Sequence, residues 1–236
     1  MESKIKQLFF LIRKRILCFL FPESVILFDH RIKEILNSNI SLEYIQSFIS
    51  DSKISKYSEL KKPYKILNSQ INDFTYLSTN SYVNLASIGK FCSIGPNFLC
   101  GWGIHPTNGI STSPMFYSTK KQNGTTLSGE DKVEERKPIK IGNDVFIGAN
   151  VTVLDGITIG DGAVIGAGAV VSKDIPPYAV AVGCPVQVIK YRFDEPAIES
   201  LLNIKWWEFE DEKLVDVEKM FFQVDEFIQK YGAEKE

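Results

Sequence analysis

The stretch Ile139-Lys-Ile-Gly-Asn-Asp-Val-Phe-Ile-Gly-Ala-Asn-Val-Thr-Val-Leu-Asp-Gly-Ile-Thr-Ile-Gly-Asp-Gly-Ala-Val-Ile-Gly-Ala-Gly-Ala-Val-Val171 decides the fold. Every sixth residue in it is Ile or Val: Ile141, Ile147, Val153, Ile159, Ile165 and Val171. A helix of 3.6 residues per turn spreads such a series around its circumference, and a flat strand does not break for a turn every six residues. A small or β-branched residue stands two positions earlier, at Ile139, Val145, Val151, Ile157, Ala163 and Ala169. Glycine follows the aliphatic at Gly142, Gly148, Gly160 and Gly166. Each hexapeptide thus reads as a short strand and a turn, with the glycine expected to relax the φ requirement at the corner. That period is the signature of a parallel β-helix, whose sides bury one aliphatic each.

Upstream, the same register is legible at Ile71, Leu77 and Val83, then slips by one residue to Ile88 and Ile94. It vanishes from Cys100 to about Lys137 and resumes at Ile139. The two stretches together predict on the order of four coils. Three regions follow: an N-terminal helical region over 1–67, a β-helix over 68–190 with an excursion loop over 100–138, and a C-terminal helical cap over 191–236 carrying Trp206 and Trp207. Ser41 is the expected N-cap of a helix through Tyr44, Ile45 and Phe48. The fold class is an all-β core with helical additions at both ends.

The 236 residues, 44% hydrophobic, suffice for one sizeable core. The net charge of −2 conceals an asymmetry: residues 1–70 hold 12 Lys/Arg and 7 Asp/Glu, whereas residues 191–236 hold 6 and 13. The coil region offers no concentrated basic face, which excludes nucleic acid as a partner. Cys18, Cys92, Cys100 and Cys184 are scattered without a C-x-x-C pair, as expected of a reducing, cytoplasmic compartment. Arg13, Lys14 and Arg15 interrupt the apolar run from Leu8 to Phe28, so it falls short of the roughly 20 residues of a spanning helix. Two readings of that run stay open: a helix packed on the coil or a neighbouring subunit, and a basic amphipathic helix in peripheral contact with the inner membrane face.

The excursion runs Gly101-Trp102-Gly103-Ile104-His105-Pro106-Thr107 and on to Ser111-Thr112-Ser113-Pro114-Met115-Phe116. Long departures from a rigid scaffold tend to hold function. His105, one of two histidines, is a competent general base at neutral pH when a hydroxyl lies within about 3 Å. With His30 outside the coil, the chain lacks the three histidines that a β-helix zinc enzyme needs, and no metal is expected.

The hexapeptide series, the G-x-H-x-x-x-x-x-S-T-x-P-x-F pattern from Gly103 to Phe116, and the exit from Gly166 to Tyr178 resemble the xenobiotic acetyltransferase branch of the left-handed β-helix acyltransferases. That branch includes chloramphenicol and streptogramin acetyltransferases and many sugar O-acetyltransferases. The resemblance implies a left-handed coil, a homotrimer with active sites between subunits, and acetyl-CoA as co-substrate in the cleft. It assigns His105 as catalytic base, Ala149 and Ala167 as small residues beside the pantetheine arm, and Ser172 and Lys173 near the adenosine end, with Lys190 as a second cation. Gly183-Cys184-Pro185-Val186-Gln187 departs from the family's Gly-Asn-Pro-Ala-Lys/Arg, and Met115 separates Pro114 from Phe116. The His-Pro-Thr opening and the Leu202 to Trp207 tail look closer to members of cell-surface polysaccharide synthesis. The expected function is O-acetylation of a sugar hydroxyl of such a polysaccharide or its precursor. The alternatives are an antibiotic O-acetyltransferase and, from another class, a non-catalytic β-helix scaffold.

Overall fold

A computed structural model describes residues 47–232, which divide by their contacts at Phe48/Ile49. Three parallel sheets wrap around one core. The first has six strands in the order Phe48–Ser50, Tyr64–Leu67, Ser81–Asn84, Leu99–Cys100, Thr152–Val153 and Val170–Val171. The second stacks Lys53–Ile54, Gln70–Ile71, Ala86–Ile88, Ile139–Ile141 and Thr158–Ile159, extended by a bridge from Ile159 to Ile175. The third stacks Glu59–Leu60, Tyr76–Leu77, Ser93–Ile94, Phe146–Ile147, Val164–Ile165 and Ala179–Val182, and closes with the antiparallel strand Gln187–Tyr191. The chain visits the sheets in rotation, which is a parallel β-helix.

The sixth-position aliphatics pair with one another down each sheet. Ile66, Val83, Cys100, Val153 and Val171 form one inner column. Ile54, Ile71, Ile88, Ile141 and Ile159 form the second, and Leu60, Leu77, Ile94, Ile147, Ile165 and Ala181 the third. Nearly all of them are fully buried. Burying an aliphatic side chain contributes about 1.5–3 kcal/mol, so the columns carry most of the stability of coils whose strands are only two to four residues long.

Two expectations need correction. The coil starts at Phe48, not at residue 68, and six strands in the first sheet replace the expected four coils. Phe48 lies in a strand, while Ser41, Tyr44, Ile45 and the run from Leu8 to Phe28 lie outside the described residues. The early coils escaped notice because the corner from the first sheet to the second is one residue short: five positions, not six, separate Ile66 from Ile71 and Val83 from Ile88. Those coils also lack the glycines that mark the later ones.

The glycines themselves do something other than expected. Gly142, Gly148, Gly160 and Gly166 are not left-handed; a Cβ at Gly148 would stand 2.6 Å from the Ala167 nitrogen, and one at Gly160 2.5 Å from the Pro177 nitrogen. They permit the next coil to approach. The left-handed position comes two residues later, at Asp144, Asn150, Gly156, Gly162 and Gly168. Asn and Gly tolerate it best, because a Cβ there crowds the following carbonyl. At the corner from the third sheet to the first it generates an amide ladder: Asn80 Nδ2 donates to Asn97 Oδ1 at 2.7 Å, and Asn97 Nδ2 to Asn150 Oδ1 at 2.8 Å.

The cap follows from Asp194, whose carboxylate accepts the Ala197 N–H at 3.1 Å and starts the helix Glu195–Ile204. Leu201, Ile204, Phe227 and Tyr231 bury themselves with Tyr178 in a second cluster. An aromatic stack of Tyr57, Phe74 and Phe91, at 5.5 and 4.9 Å between ring centres, runs along the coil to Trp206, 5.0 Å from Phe91.

Candidate active site

The excursion leaves the coil after Cys100 and re-enters at Ile139, within the same first-to-second corner that is short in the preceding coils. Its ends meet: a Cβ on Gly101 would lie 3.2 Å from Ile139 Cδ1. Asp155, on that corner one coil further, accepts the Gly103 N–H at 2.8 Å and the Lys137 N–H at 3.3 Å. Arg136 Nη1 donates to the Gly101 carbonyl at 2.6 Å, and the Ile104 N–H to the Glu135 carbonyl at 2.9 Å. The segment that presents His105 is therefore held on both sides.

Within the excursion a buried polar knot replaces a hydrophobic core. Glu135 accepts from Ser118 Oγ at 3.1 Å and Gln122 Nε2 at 2.6 Å and pairs with Lys120. Burial disfavours its charge, yet the Lys120, Ser118 and Gln122 donors outweigh that and hold its carboxyl below the usual glutamate range. The preceding residue of Ser118 is Tyr117, whose hydroxyl stands 2.8 Å from His105 Nδ1.

His105 is exposed, and its Nδ1 lies 2.9 Å from the Thr112 carbonyl oxygen. A carbonyl only accepts, so Nδ1 carries the proton and Nε2 the lone pair. This is the tautomer a base needs at Nε2. The exposed Trp102, three residues before, sets its ring 4.8 Å from that of Tyr82 on the outer face of the first sheet. Burial pushes the Cys92 thiol up to about 12 and that of Cys100 up as well, which leaves both neutral.

Of the other residues singled out by sequence, Ala149 and Ala167 stack on successive coils at the third-to-first corner, half-buried and exposed respectively. A Cβ on neighbouring Gly168 would meet nothing within 4 Å, so the two alanines form a rail that is open beside Ala167 and flanked by the Asn150 amide beside Ala149. Ser172 and Lys173 are exposed on the first-to-second corner, one coil beyond Asp155. Lys190 lies apart from both groups, on the closing antiparallel strand opposite Val180. Within one chain, His105 and the alanine rail border opposite edges of the first sheet. Sequence reasoning overlooked Tyr117, Asp155, Glu135 and Lys120. Asp155 is one acidic turn residue among several in the repeat, and the knot of Glu135 joins residues that no spacing relates.

The family model described as bacterial transferase hexapeptide (six repeats) matches residues 138–173. A chloramphenicol acetyltransferase of Agrobacterium fabrum is 38% identical over 148 residues, 59% of this chain and 67% of that protein. A probable macrolide acetyltransferase of Lysinibacillus sphaericus is 37% identical over 138 residues, 55% of this chain and 72% of that protein. Among solved structures, a galactoside acetyltransferase in complex with coenzyme A is 25% identical, with 85% of each chain covered and a TM-score of 0.47. The chain belongs to the hexapeptide-repeat acyltransferases and has their left-handed parallel β-helix.

Proposed function

We propose that the protein is an acetyl-CoA-dependent O-acetyltransferase acting on a sugar hydroxyl of a surface polysaccharide or its precursor, with His105 as general base. The observation that carries this is the commitment of His105 Nδ1 to the Thr112 carbonyl, which leaves Nε2 as the proton acceptor at an exposed point of the excursion. Nε2 takes the acceptor O–H proton as that oxygen bonds to the thioester carbonyl carbon. The tetrahedral intermediate then collapses with cleavage of the C–S bond, and the departing CoA thiolate takes the proton from the imidazolium. No residue is acylated. The exposed Trp102 ring, in the same excursion as Thr107, Asn108 and Ser111, supports a saccharide, which binds through an aromatic face and hydroxyl partners.

The alanine rail supports the assignment of Ala149 and Ala167 to the pantetheine arm; Ser172 and Lys173 stand on the opposite edge of the first sheet, the His105 side, and would meet the nucleotide end only from a neighbouring copy. Lys190, out of line with either, is a contact only if acetyl-CoA reaches the closing strand. The outer faces of the sheets support association into the homotrimer proposed for this fold. The second sheet points Lys53, Gln70, Ser87, Lys140 and Thr158 outward. The outer rows of the third and first sheets are mixed but richer in apolar residues: Tyr76, Phe146, Val164 and Val180 beside Glu59 and Ser93, and Tyr82, Leu99 and Val170 beside Lys65 and Thr152. Two different faces that meet head to tail close a ring when the rotation between copies permits it. In the proposed trimer the acetyl-CoA cleft lies between the His105 edge of one copy and the alanine edge of the next.

An antibiotic hydroxyl is the second reading, favoured by the 38% identity to a chloramphenicol acetyltransferase. Release of CoA thiol is to be followed over a panel of saccharides and p-nitrophenyl glycosides, with chloramphenicol and a streptogramin included. Preference for a saccharide supports the first reading, and preference for an antibiotic replaces it. His105→Ala is expected to keep the trimer and CoA binding while turnover falls about 10²–10⁴-fold; near wild-type turnover overturns the role of His105.

A further inference from the structure

Both oxygens that hold His105 come from the ends of one turn. The 3-10 turn Pro114–Phe116 is capped at its start by Ser113, the neighbour of Thr112, and at its end by Tyr117. Tyr117 Oη lies 2.8 Å from His105 Nδ1, and the two rings are perpendicular, with centroids 6.2 Å apart. The histidine is exposed, but the tyrosine is only 5% exposed. Its N–H donates to the Pro114 carbonyl and its carbonyl accepts from Lys132 at 2.8 Å. The next residue, Ser118, is fully buried on Glu135 and accepts Thr126 Oγ1 at its carbonyl. The tyrosine is thus the fixed partner and the histidine the held one.

We propose that Tyr117 is a positioning residue for His105, its phenol oxygen sharing the Nδ1 proton with the Thr112 carbonyl so that Nε2 is presented to the acceptor. This rests on the reading of His105 as the base. Because the carbonyl already requires a proton on Nδ1, the phenol accepts in this contact. It remains neutral: burial and the Glu135 carboxylate both push its ionisation upward, against the opposing Lys120 ammonium. Other charged residues on the elements around the loop base are Arg136, hydrogen-bonded to Gly101, Asp155, hydrogen-bonded to Gly103, Lys137, whose N–H meets Asp155, Lys132, whose N–H meets the Tyr117 carbonyl, and Asp131, which accepts from Thr119. When Nε2 takes the acceptor proton, the ring becomes an imidazolium and its Nδ1–H bonds to both oxygens strengthen. The Nδ1 proton itself is never transferred. Tyr117 therefore contributes where charge develops, which is where a hydrogen bond changes turnover more than substrate binding.

Tyr117→Phe in the full chain tests this, with acetyl-CoA and p-nitrophenyl β-galactoside as probe substrates and imidazole 15N spectra assigned through His105→Ala. The kcat should fall about tenfold, the loss expected of one charge-assisted hydrogen bond, with both KM values within twofold and the melting temperature retained. The Nδ1–H signal of His105 should move upfield. An unchanged kcat, or a loss confined to the acceptor KM, overturns the proposal, the latter making Tyr117 a pocket wall. If the variant melts early or the probe turns over too slowly, the wild-type spectrum decides: an Nδ1–H proton cross-relaxing with the Tyr117 ring supports the proposal, and an Nε2–H tautomer overturns it. Full activity in His105→Ala removes the base reading itself, whereas an inactive His105→Ala beside a normal Tyr117→Phe removes only the role of Tyr117.

Discussion

Asp155 Oδ2 accepts the Gly103 N–H at 2.8 Å and so ties the strand of loop that carries His105 to the next coil. The other oxygen of the same carboxylate receives the Lys137 N–H where the loop returns. Asp155→Ala should lower kcat about tenfold by letting the base drift from its working position. Because the bonds are exposed, the melting temperature should move only a few degrees. Steady-state kinetics and a thermal melt on the same preparation check this; an equal loss in Asp155→Ala and Asp155→Asn points to the charge, and a smaller loss in Asp155→Asn points to the acceptor oxygen.

Gly148→Ala should destabilise the coil by about 1–3 kcal/mol, because the new Cβ meets the Ala167 backbone at 2.6 Å and backbone cannot swing aside. The melting midpoint should fall about 2–10 °C. Gly129→Ala is the control, since a Cβ there meets nothing within 4 Å, and should leave the midpoint unchanged.

Little of this packing is legible in the sequence. The period of six shows where the aliphatics point, and the inner columns confirm it residue by residue from Ile71 onward. The role of the glycines was misjudged because a backbone contact with the next coil and a left-handed φ leave the same letter in the chain. The coils before Ile71 were overlooked because a corner of five breaks the count. His105 was legible as a candidate base because it stands in the long interruption of the repeat. Its partners were not, since Tyr117, Thr112 and Glu135 come together only through the fold of the loop.

The Glu135 knot makes the loop sensitive to acid. A carboxylate held below its ordinary value stabilises the fold fully above the unfolded value, and that stabilisation is lost as pH falls through the depressed folded value. Glu135→Gln should therefore melt earlier than wild type at neutral pH, with the gap closing under acid conditions below the normal glutamate range. Melts from pH 7 to pH 3 measure it; a gap of constant size shows that the charge of Glu135 contributes nothing.

Asn97 gives two separable effects. Its φ of 58° costs a residue with Cβ about 1–2 kcal/mol unless the side chain compensates, and its amide links Asn80 to Asn150. Asn97→Ala should lower stability by about 1–2 kcal/mol, and Asn97→Gly by less, because glycine loses the ladder but not the conformation. Chemical denaturation of the two variants separates the terms.

The meeting of the excursion's two ends bears on how such a protein diversifies. Ile88 pairs with Ile141 as evenly as Ile71 pairs with Ile88, although the whole loop lies between them in the chain. The frame does not register how much polypeptide is spliced in at that corner. A loop of another length or composition at this corner would leave the pairing of Ile88 with Ile141, and the columns it belongs to, undisturbed.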